Sequence, residues 1–214
     1  MLKDEIKDAL REKDFGRVAR LAAENRKVFS ILISLAYDKE DVLCWRAIEA
    51  MGSAAGAVAA EDPASVRTIV QRLLWSMRDE AGGIGWSSPE MLGEIVRSAP
   101  GPFQDIPSII LSFQDEEMFL GGILWAVGRI AGTGLSLDGD AAELVLRCLD
   151  HGDPRVRGLA VIAAAGMRSE AGAEKIAAMT ADEAPARIYG QGELQETTVG
   201  ALAAGALLRL RSGV

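Results

Sequence analysis

Apolar residues recur along most of this chain at helical spacing, and short polar turns separate the recurring runs. In "VRTIVQRLLWSM" the apolar face follows the i, i+1, i+4, i+5, i+8 pattern of an amphipathic helix and consists of Ile69, Val70, Leu73, Leu74 and Met77. Asp62 and Pro63 precede this run in the order expected of a helix cap and a first-turn proline. Runs of β-branched and aromatic residues are scarce, so the pattern predicts an all-α fold.

Five predicted helices end in a small residue at nearly regular intervals. They are "DVLCWRAIEAMG", "GGIGWSSPEMLG", "EMFLGGILWAVG", "DPRVRGLAVIAAA" and "LQETTVGALAAG", and their ends at Gly52, Gly93, Gly128, Ala165 and Gly205 are 41, 35, 37 and 40 residues apart. Another helical pattern precedes each of them. The repeated unit is therefore a helix, a short turn and a second helix. Because one such pair cannot bury its apolar faces alone, the pairs are expected to stack around a continuous core.

The segment "DPRVRGLAVIAAA" resembles a repeat of the HEAT family, in particular the short repeats of its phycobilisome-lyase-like members. The resemblance is carried by Asp153, Pro154, Val156, Arg157, Ala160 and Ala163. The segment "DVLCWRAIEAMG" keeps Val42, Ala47, Ala50 and Gly52 but lacks the arginine. The resemblance implies an α-α superhelix, a HEAT-like solenoid of about five or six antiparallel helix pairs. It implies little about activity, since such arrays serve many functions.

We expect residues 1–214 to form a single HEAT-like repeat domain, a length sufficient for one sizeable core. Within it, 1–24 is predicted to be an N-terminal capping helix pair, and 25–210 is predicted to hold the repeats. The charged first helix suits a capping role, because a terminal repeat must present a polar outer face.

The charge balance excludes some classes of partner. The net charge is −8 and the pI is about 4.8, whereas a nucleic-acid surface needs an excess of Lys and Arg. The charged N-terminal stretch has no apolar segment of a secretory signal, and the most apolar stretch, 47–60, is too short and interrupted to span a membrane. A cytoplasmic protein without nucleic-acid or membrane partners is expected, with Cys44 and Cys148 as buried reduced thiols.

Residues that carry chemistry are sparse. The single histidine, His151, lies in a turn and forms no recognisable catalytic arrangement, and no His and Cys cluster has zinc spacing. The glycines of "GGIG" lack the Lys and Ser or Thr of a phosphate loop, and they follow a helix rather than a strand. We therefore predict no catalytic residue, no metal and no cofactor.

The stretch "GGIGWSSPE" combines glycines with a helix start. Ser88 can cap the helix with Pro89 as its first residue, or Ser87 can cap it while Glu90 completes a capping box. This turn is longer and richer in glycine than its counterparts "DKED" and "HGDP", which indicates either a bulge of the loop or close approach of a ligand. The predicted rim of a binding groove consists of Gly82, Gly83 and Gly85.

Trp and Glu recur at matched places in the predicted second helices. Trp45 and Trp86 each stand seven residues before the terminal glycine of their segment, and Glu49 and Glu90 each stand three residues before it. These two positions are one helical turn apart, so they share a face. Trp125 occupies the later position in the third segment.

The resemblance to HEAT arrays implies that this face lines a concave groove, because second helices line the inner surface of such arrays. The candidate groove residues are Trp45, Glu49, Trp86, Glu90, Glu94 and Trp125. Gly121 and Gly158 are expected to leave room beside them. Trp faces next to carboxylates suit a cation, either a basic peptide of a partner protein or a small organic amine. The alternatives are that the tryptophans belong to the core and that the acids form a solvated stripe.

The expected function is non-enzymatic binding of a protein or peptide by the concave face of the solenoid. One alternative is an accessory enzyme resembling bilin lyases, with Glu90 and Glu94 as the first candidate residues. A less favoured alternative is a HEAT-like DNA repair glycosylase, which would use Trp86 and Glu90 in a cleft. The acidic composition argues against that second alternative.

Overall fold

The computed structural model describes residues 1–78, 85–135, 137 and 139–212, which divide into two compact units, Met1–Ile106 and Pro107–Val214. The described residues form twelve α-helices, several short 3₁₀ turns and one two-stranded antiparallel sheet. The all-α prediction is confirmed, and most of the helices pack as consecutive pairs. The expectation that 1–214 is a single domain stays a prediction.

The first unit contains three helix pairs. Its helices are α1 (Leu2–Arg11), α2 (Phe15–Glu24), α3 (Lys27–Leu35), α4 (Val42–Ala59), α5 (Pro63–Arg78) and α6 (Ser88–Ser98). The second helices pack side by side, with α4 between α2 and α6, and each first helix packs against the second helix of its own pair. This neighbour-on-neighbour packing is the arrangement that the repeat period predicts.

The second unit repeats this arrangement. Its helices are α7 (Ile106–Leu111), α8 (Glu117–Ile130), α9 (Gly139–Cys148), α10 (Pro154–Gly166), α11 (Ala173–Ala178) and α12 (Val199–Ser212). Helix α10 packs between α8 and α12, while α9 packs on α10 and α11 packs on α12. A hairpin of β1 (Pro185–Gly190) and β2 (Glu193–Thr198) lies between α11 and α12 in the chain and contacts α10.

The hairpin corrects one sequence-based prediction. A helix is predicted over "LQETTVGALAAG", but its first five residues belong to β2 and the helix begins only at Val199. Gln191 and Gly192 both have positive φ angles, 54° and 80°, and they connect the paired residues Gly190 and Glu193. A two-residue turn with this backbone conformation matches the twist of antiparallel strands, so it starts a hairpin rather than a helix.

The pattern of α5 is confirmed in detail. Val70, Leu73 and Met77 are buried, and the remaining two residues of the predicted face are half-buried. The helix begins at Pro63, and the Asp62 carboxylate accepts a hydrogen bond from the backbone N–H of Ser65 at 3.0 Å. The apolar face and the start signal therefore act as the sequence indicates.

Two of the repeated small residues mark close contacts between neighbouring second helices. A Cβ atom on Gly52 would lie 2.7 Å from the carbonyl oxygen of Glu94 in α6, and one on Gly128 would lie 3.4 Å from the Cα atom of Ala163 in α10. Gly205 has no such neighbour within 4 Å. The regular spacing of small residues thus reflects helix approach at Gly52 and Gly128 but not at Gly205.

A buried arginine ties α4 to the end of α1. The Arg46 guanidinium donates to the carbonyl oxygens of Leu10 at 3.3 Å and Arg11 at 3.1 Å. These carbonyls lie in the last turn of α1, where a helix runs out of later N–H groups, although Leu10 also accepts from the backbone N–H of Lys13 at 3.2 Å. Arg46 therefore acts as a C-terminal cap provided from the next helix pair.

Arg46→Met is expected to lower the free energy of unfolding by about 1–3 kcal/mol, because it removes the buried guanidinium donor from the carbonyl groups of Leu10 and Arg11. Urea unfolding followed by circular dichroism measures the change. Arg11→Met is the matched control, since Arg11 is exposed and pairs only with Asp8 among the described residues. The control should change the stability by less than about 0.5 kcal/mol. An equal effect of both changes would contradict the capping role.

Among the residues with described positions, no helix is both long enough and apolar enough to cross a membrane.

Candidate functional site

The candidate site lies at the N-terminal end of α6 in the first unit. The chain enters α6 through a short 3₁₀ turn, Gly85–Ser87, which holds Trp86. Gly82 and Gly83 of the predicted rim lie outside the described residues, so their role stays a prediction.

Gly85 is a packing residue in the structure. It is buried, and a Cβ atom at this position would lie 2.5 Å from the carbonyl oxygen of Ser76 in α5. The expectation that Gly85 forms an open, adaptable rim is therefore wrong. Glycine is needed here because the turn presses against the backbone of the preceding helix.

The start of α6 differs from both capping alternatives. Ser87 occupies the cap position but makes no capping hydrogen bond with its side chain, and Ser88 is the first helical residue. The Ser88 hydroxyl lies 3.0 Å from the hydroxyl of Ser76. Glu90 does not complete a capping box, because its Oε1 atom accepts a hydrogen bond from Lys39. The turn is thus held by α5 and by the loop before α4 rather than by its own side chains.

Lys39 fixes the position of this turn. Its ammonium group donates to Glu90 Oε1 at 2.6 Å and to the carbonyl oxygen of Trp86 at 2.7 Å. The carbonyl oxygen of Lys39 in turn accepts a hydrogen bond from the Trp45 indole at 2.9 Å. Trp45 is only 3 % exposed, so the expectation that it stands on an open wall is wrong. Its indole nitrogen is satisfied inside the fold, and its ring belongs to the core around this loop.

Glu90 leaves part of its hydrogen-bonding capacity unused. It is 1 % exposed, and its Oε2 atom accepts no hydrogen bond from the described residues. The hydroxyl oxygen of Ser87 is also buried there without a hydrogen-bond partner. Two unsatisfied buried oxygen atoms within one turn are uncommon, because each costs the free energy of its lost hydration. The start of α6 thus contains a buried polar cluster with incomplete hydrogen bonding.

Cys44 borders the same cluster and is chemically inert there. Burial raises the pKa of its thiol to about 12, and the negative charge of Glu90 adds to that shift. The positive charge of Lys39 lowers the pKa but does not offset burial. The thiol stays protonated at neutral pH, and the nucleophilic form of cysteine is the thiolate. This environment agrees with the expected buried, reduced cysteine.

Glu94 and Glu49 are not open carboxylates on an accessible face. Glu94 is fully buried, and its Oε2 atom accepts a hydrogen bond from Arg97 Nε at 2.8 Å. Glu49 is half-buried. The expectation that Trp86, Glu90 and Glu94 share one accessible face is wrong, because Trp86 precedes the first turn of α6. Buried charges need internal partners, and Lys39 and Arg97 provide them.

The predicted face in the second unit is covered. Trp125 is buried. Its ring centre lies 5.9 Å from the ring centre of Tyr189 in the hairpin, and the Arg129 guanidinium lies 5.5 Å from the Trp125 ring centre. A Cβ atom on Gly158 would lie 2.8 Å from a methyl group of Leu202 in α12. The hairpin and α12 therefore fill the room that was expected beside Gly158, while Gly121 stays half-buried.

Two further exposed aromatic residues, which sequence analysis did not single out, lie next to residues that contact the turn of Trp86. Trp86 itself is 55 % exposed, and Tyr37 and Trp75 are more exposed than Trp86. Trp75 precedes Ser76, which contacts Gly85, and Tyr37 lies two residues before Lys39, which binds Trp86. We call Tyr37, Trp75 and Trp86 the aromatic patch. Trp75 was recognisable as an exposed residue, because it lies off the apolar face of α5.

Exposed acids adjoin the aromatic patch. They follow Tyr37 directly in the α3–α4 loop and are Asp38, Glu40 and Asp41. Asp41 also caps α4 by accepting from the N–H of Leu43 at 2.9 Å. The loop that holds Trp86 through Lys39 therefore also brings negative charge to the surface.

The described residues contain no group of three or more metal-ligating side chains. His151 makes local contacts in the second unit. Its Nδ1 atom accepts from the N–H of Asp153 at 3.1 Å, and its Nε2 atom lies 3.1 Å from Glu117 Oε1. These contacts fix the turn before α10, as expected of a turn histidine.

Comparison with solved structures places a HEAT-like repeats protein among the proteins to which this chain is similar. No protein-family model matches the sequence, and no curated protein matches it. The crystal structure of the archaeal HEAT-like repeats protein from Thermococcus onnurineus NA1 is similar at 12 % identity and a TM-score of 0.44. The similarity covers 98 % of this chain and 80 % of that chain. The fold assignment rests on the helices and their packing described above.

Proposed function

We propose that this chain is a non-enzymatic binding module that accepts a basic segment of a partner protein on the aromatic patch. The observation that carries the proposal is that Trp86 exposes its ring while its backbone is held in place. Its ring is more than half exposed, while its backbone carbonyl is bound by Lys39. Large aromatic side chains held at a surface are frequent energetic centres of protein interfaces.

The surrounding charge supports a basic partner. Asp38, Glu40 and Asp41 are exposed beside the patch, and the whole chain carries a net charge of −8. An Arg or Lys side chain placed over an indole face gains a cation–π interaction, and nearby carboxylates increase the rate of encounter. The exposed acids take the role that the sequence-based hypothesis gave to Glu90 and Glu94.

In this proposal Glu90 does not contact the partner but positions Trp86. Its ion pair with Lys39 holds the α3–α4 loop against the start of α6, so Trp86 is positioned before the partner arrives. Such preorganisation lowers the entropy that association must offset. In the part of the chain that is described, Glu90 and Glu94 are each engaged by an internal cation, which favours binding over the two enzymatic alternatives. The concave-groove form of the hypothesis, in which the partner contacts Trp45, Glu49 and Trp125, is not adopted, because Trp45 and Trp125 are buried.

Trp86→Ala is expected to weaken binding of a fluorescein-labelled, arginine-rich peptide by about thirtyfold, the effect of a typical interface hot spot. The measurement is fluorescence anisotropy at physiological salt. Because the ring is half exposed, the change in stability should stay well below the roughly 3–5 kcal/mol of a core aromatic deletion.

Leu208→Ala is the control, because Leu208 is a large apolar residue of the second unit that is even more exposed than Trp86. It should leave peptide affinity unchanged. Equal affinities of Trp86→Ala and the unaltered protein, or equal weakening by Leu208→Ala, would contradict the proposal.

A further inference from the structure

The start of α6 carries a capping signal that the observed turn does not use. Ser87 stands at the cap position and Glu90 three residues later, which is the register of a capping box. In such a box the serine hydroxyl accepts from the N–H of the glutamate, and the carboxylate accepts from the N–H of the serine. Here the Ser87 side chain makes no capping hydrogen bond, and its φ of −111° and ψ of 9° differ from the extended backbone of a cap residue.

Glu90 keeps one oxygen atom available for that box. Its Oε1 atom accepts from Lys39 at 2.6 Å, whereas its Oε2 atom has no hydrogen-bond partner among the described residues. Because Glu90 is only 1 % exposed, an oxygen atom without a donor costs free energy at this position. The observed turn is therefore favoured only while another interaction offsets that cost.

Lys39 provides the offsetting interaction. Its ammonium group bridges the Glu90 carboxylate and the Trp86 carbonyl oxygen, and these two acceptors lie on either side of Ser87 in the chain. An extended Ser87 would redirect the chain before it and move the Trp86 carbonyl away from Glu90, so the Lys39 bridge and an extended cap exclude each other. The Lys39 side chain is 20 % exposed, so its ammonium group can reach solvent once it is released.

We propose that this turn has two arrangements and that the Lys39–Glu90 ion pair determines which of them is populated. In the observed arrangement Lys39 bridges Glu90 and Trp86, and the Trp86 ring lies in the aromatic patch. In the second arrangement Lys39 is released, Ser87 is extended, and Ser87 and Glu90 form the capping box. Trp86 then leaves the position in which it contacts a basic partner.

This inference rests on the proposed function and adds its regulation. A partner that binds only the observed arrangement shifts the turn towards it, and a change that weakens the ion pair shifts the turn away from it. The capping box offers the buried carboxylate an N–H donor and the positive end of the helix dipole, but no cation. The observed arrangement therefore predominates as long as Lys39 and Glu90 are both charged.

Glu90→Gln separates the two arrangements, because it weakens the ion pair while glutamine still serves at this position of a capping box. In the Glu90→Gln variant, Ser87→Ala should lower the ratio of folded to unfolded protein by about fivefold, the effect of losing a helix cap. In the unaltered protein the same change should alter this ratio by less than about twofold, because the Ser87 hydroxyl caps nothing there. Urea unfolding of the four proteins measures this coupling.

Ser88→Ala is the matched control for the unfolding measurements. Ser88 is also buried, but its hydroxyl lies 3.0 Å from that of Ser76 in α5 and does not belong to the box. Its replacement should have the same effect in the unaltered protein and in the Glu90→Gln variant. Equal effects of Ser87→Ala in these two proteins would overturn the proposal.

The ¹³C chemical shifts of Ser87 report its backbone conformation without unfolding the protein. They should indicate an extended residue in the Glu90→Gln variant but not in the unaltered protein. Lys39→Gln removes the other partner of the ion pair and should give the same Ser87 shifts as Glu90→Gln. Ser87 shifts that neither variant changes would overturn the two arrangements.

Fluorescence anisotropy with the arginine-rich peptide tests the regulation separately. Glu90→Gln should weaken binding, because affinity falls with the populated fraction of the competent arrangement. Adding Ser87→Ala to Glu90→Gln should restore the affinity, since loss of the cap returns the turn to the observed arrangement. Unchanged affinity of the Glu90→Gln variant would overturn the regulation. A failure of the unaltered protein to bind the peptide would instead contradict the proposed function, since the unfolding and chemical-shift measurements need no peptide.

Discussion

Lys39→Met is expected to lower the free energy of unfolding by about 3–5 kcal/mol, the range for removing one partner of a buried ion pair. Glu90 is 1 % exposed and accepts from Lys39 through Oε1, while its Oε2 atom has no donor among the described residues. Without Lys39 its carboxylate would lie in the protein interior with no compensating cation. The carbonyl oxygen of Trp86 would lose its donor at the same time.

Chemical unfolding of three variants separates this pair from an ordinary surface pair. Lys39→Met combined with Glu90→Met should recover part of the lost stability, because removing both partners leaves no uncompensated charge. Lys175→Met is the matched control, since Lys175 pairs with the exposed Asp150, and it should cost about 1 kcal/mol or less. Equal losses for Lys39→Met and Lys175→Met would show that the Lys39–Glu90 pair does not hold the start of α6.

Gly52→Ala and Gly205→Ala are expected to change stability in opposite directions. Alanine in a helix is favoured over glycine by about 0.5–1 kcal/mol, so Gly205→Ala should stabilise α12, where a Cβ atom meets nothing within 4 Å. At Gly52 the added Cβ would lie 2.7 Å from the carbonyl oxygen of Glu94. Helices α4 and α6 would have to separate, and a net loss of about 1–3 kcal/mol is expected from overpacking.

Thermal and urea unfolding of the two variants measure this difference. Because the substitution is the same and both sites are helical, intrinsic helix propensity cancels in the comparison. A stabilising effect at both positions would mean that α4 and α6 do not approach as closely as the structure shows.

Local patterns predicted the helices well and the hairpin not at all. The apolar face of α5 and the cap at Asp62 could be predicted from the sequence, because each depends on residues within one or two helical turns. "LQETT" has no apolar stripe of its own, and repeat spacing favoured continuing the helix through it. The decisive signal was the turn at Gln191 and Gly192, whose positive φ angles become visible only in the folded backbone.

In the candidate site, too, the sequence could not reveal contacts between residues that are far apart in the chain. Trp86 was predicted to be accessible, and its ring is exposed. Glu90 was predicted on the same open face, but its partner Lys39 lies 51 residues away in the chain. No local pattern could reveal that ion pair, nor the hydrogen bond that places Trp45 in the core. Sequence periodicity therefore located the region of the site, while tertiary contacts determined which of its residues face solvent.

The indole N–H signals of the four tryptophans provide the most direct measurement of binding at the aromatic patch. They can be assigned with single Trp→Phe variants and followed in ¹H–¹⁵N spectra during titration with the arginine-rich peptide. We expect the Trp86 signal to shift most and to saturate, with a smaller shift at Trp75. The Trp45 signal should stay in place, because that ring is buried and its N–H is bonded to Lys39. An unchanged Trp86 signal, or the largest shift at Trp125, would contradict binding at the aromatic patch.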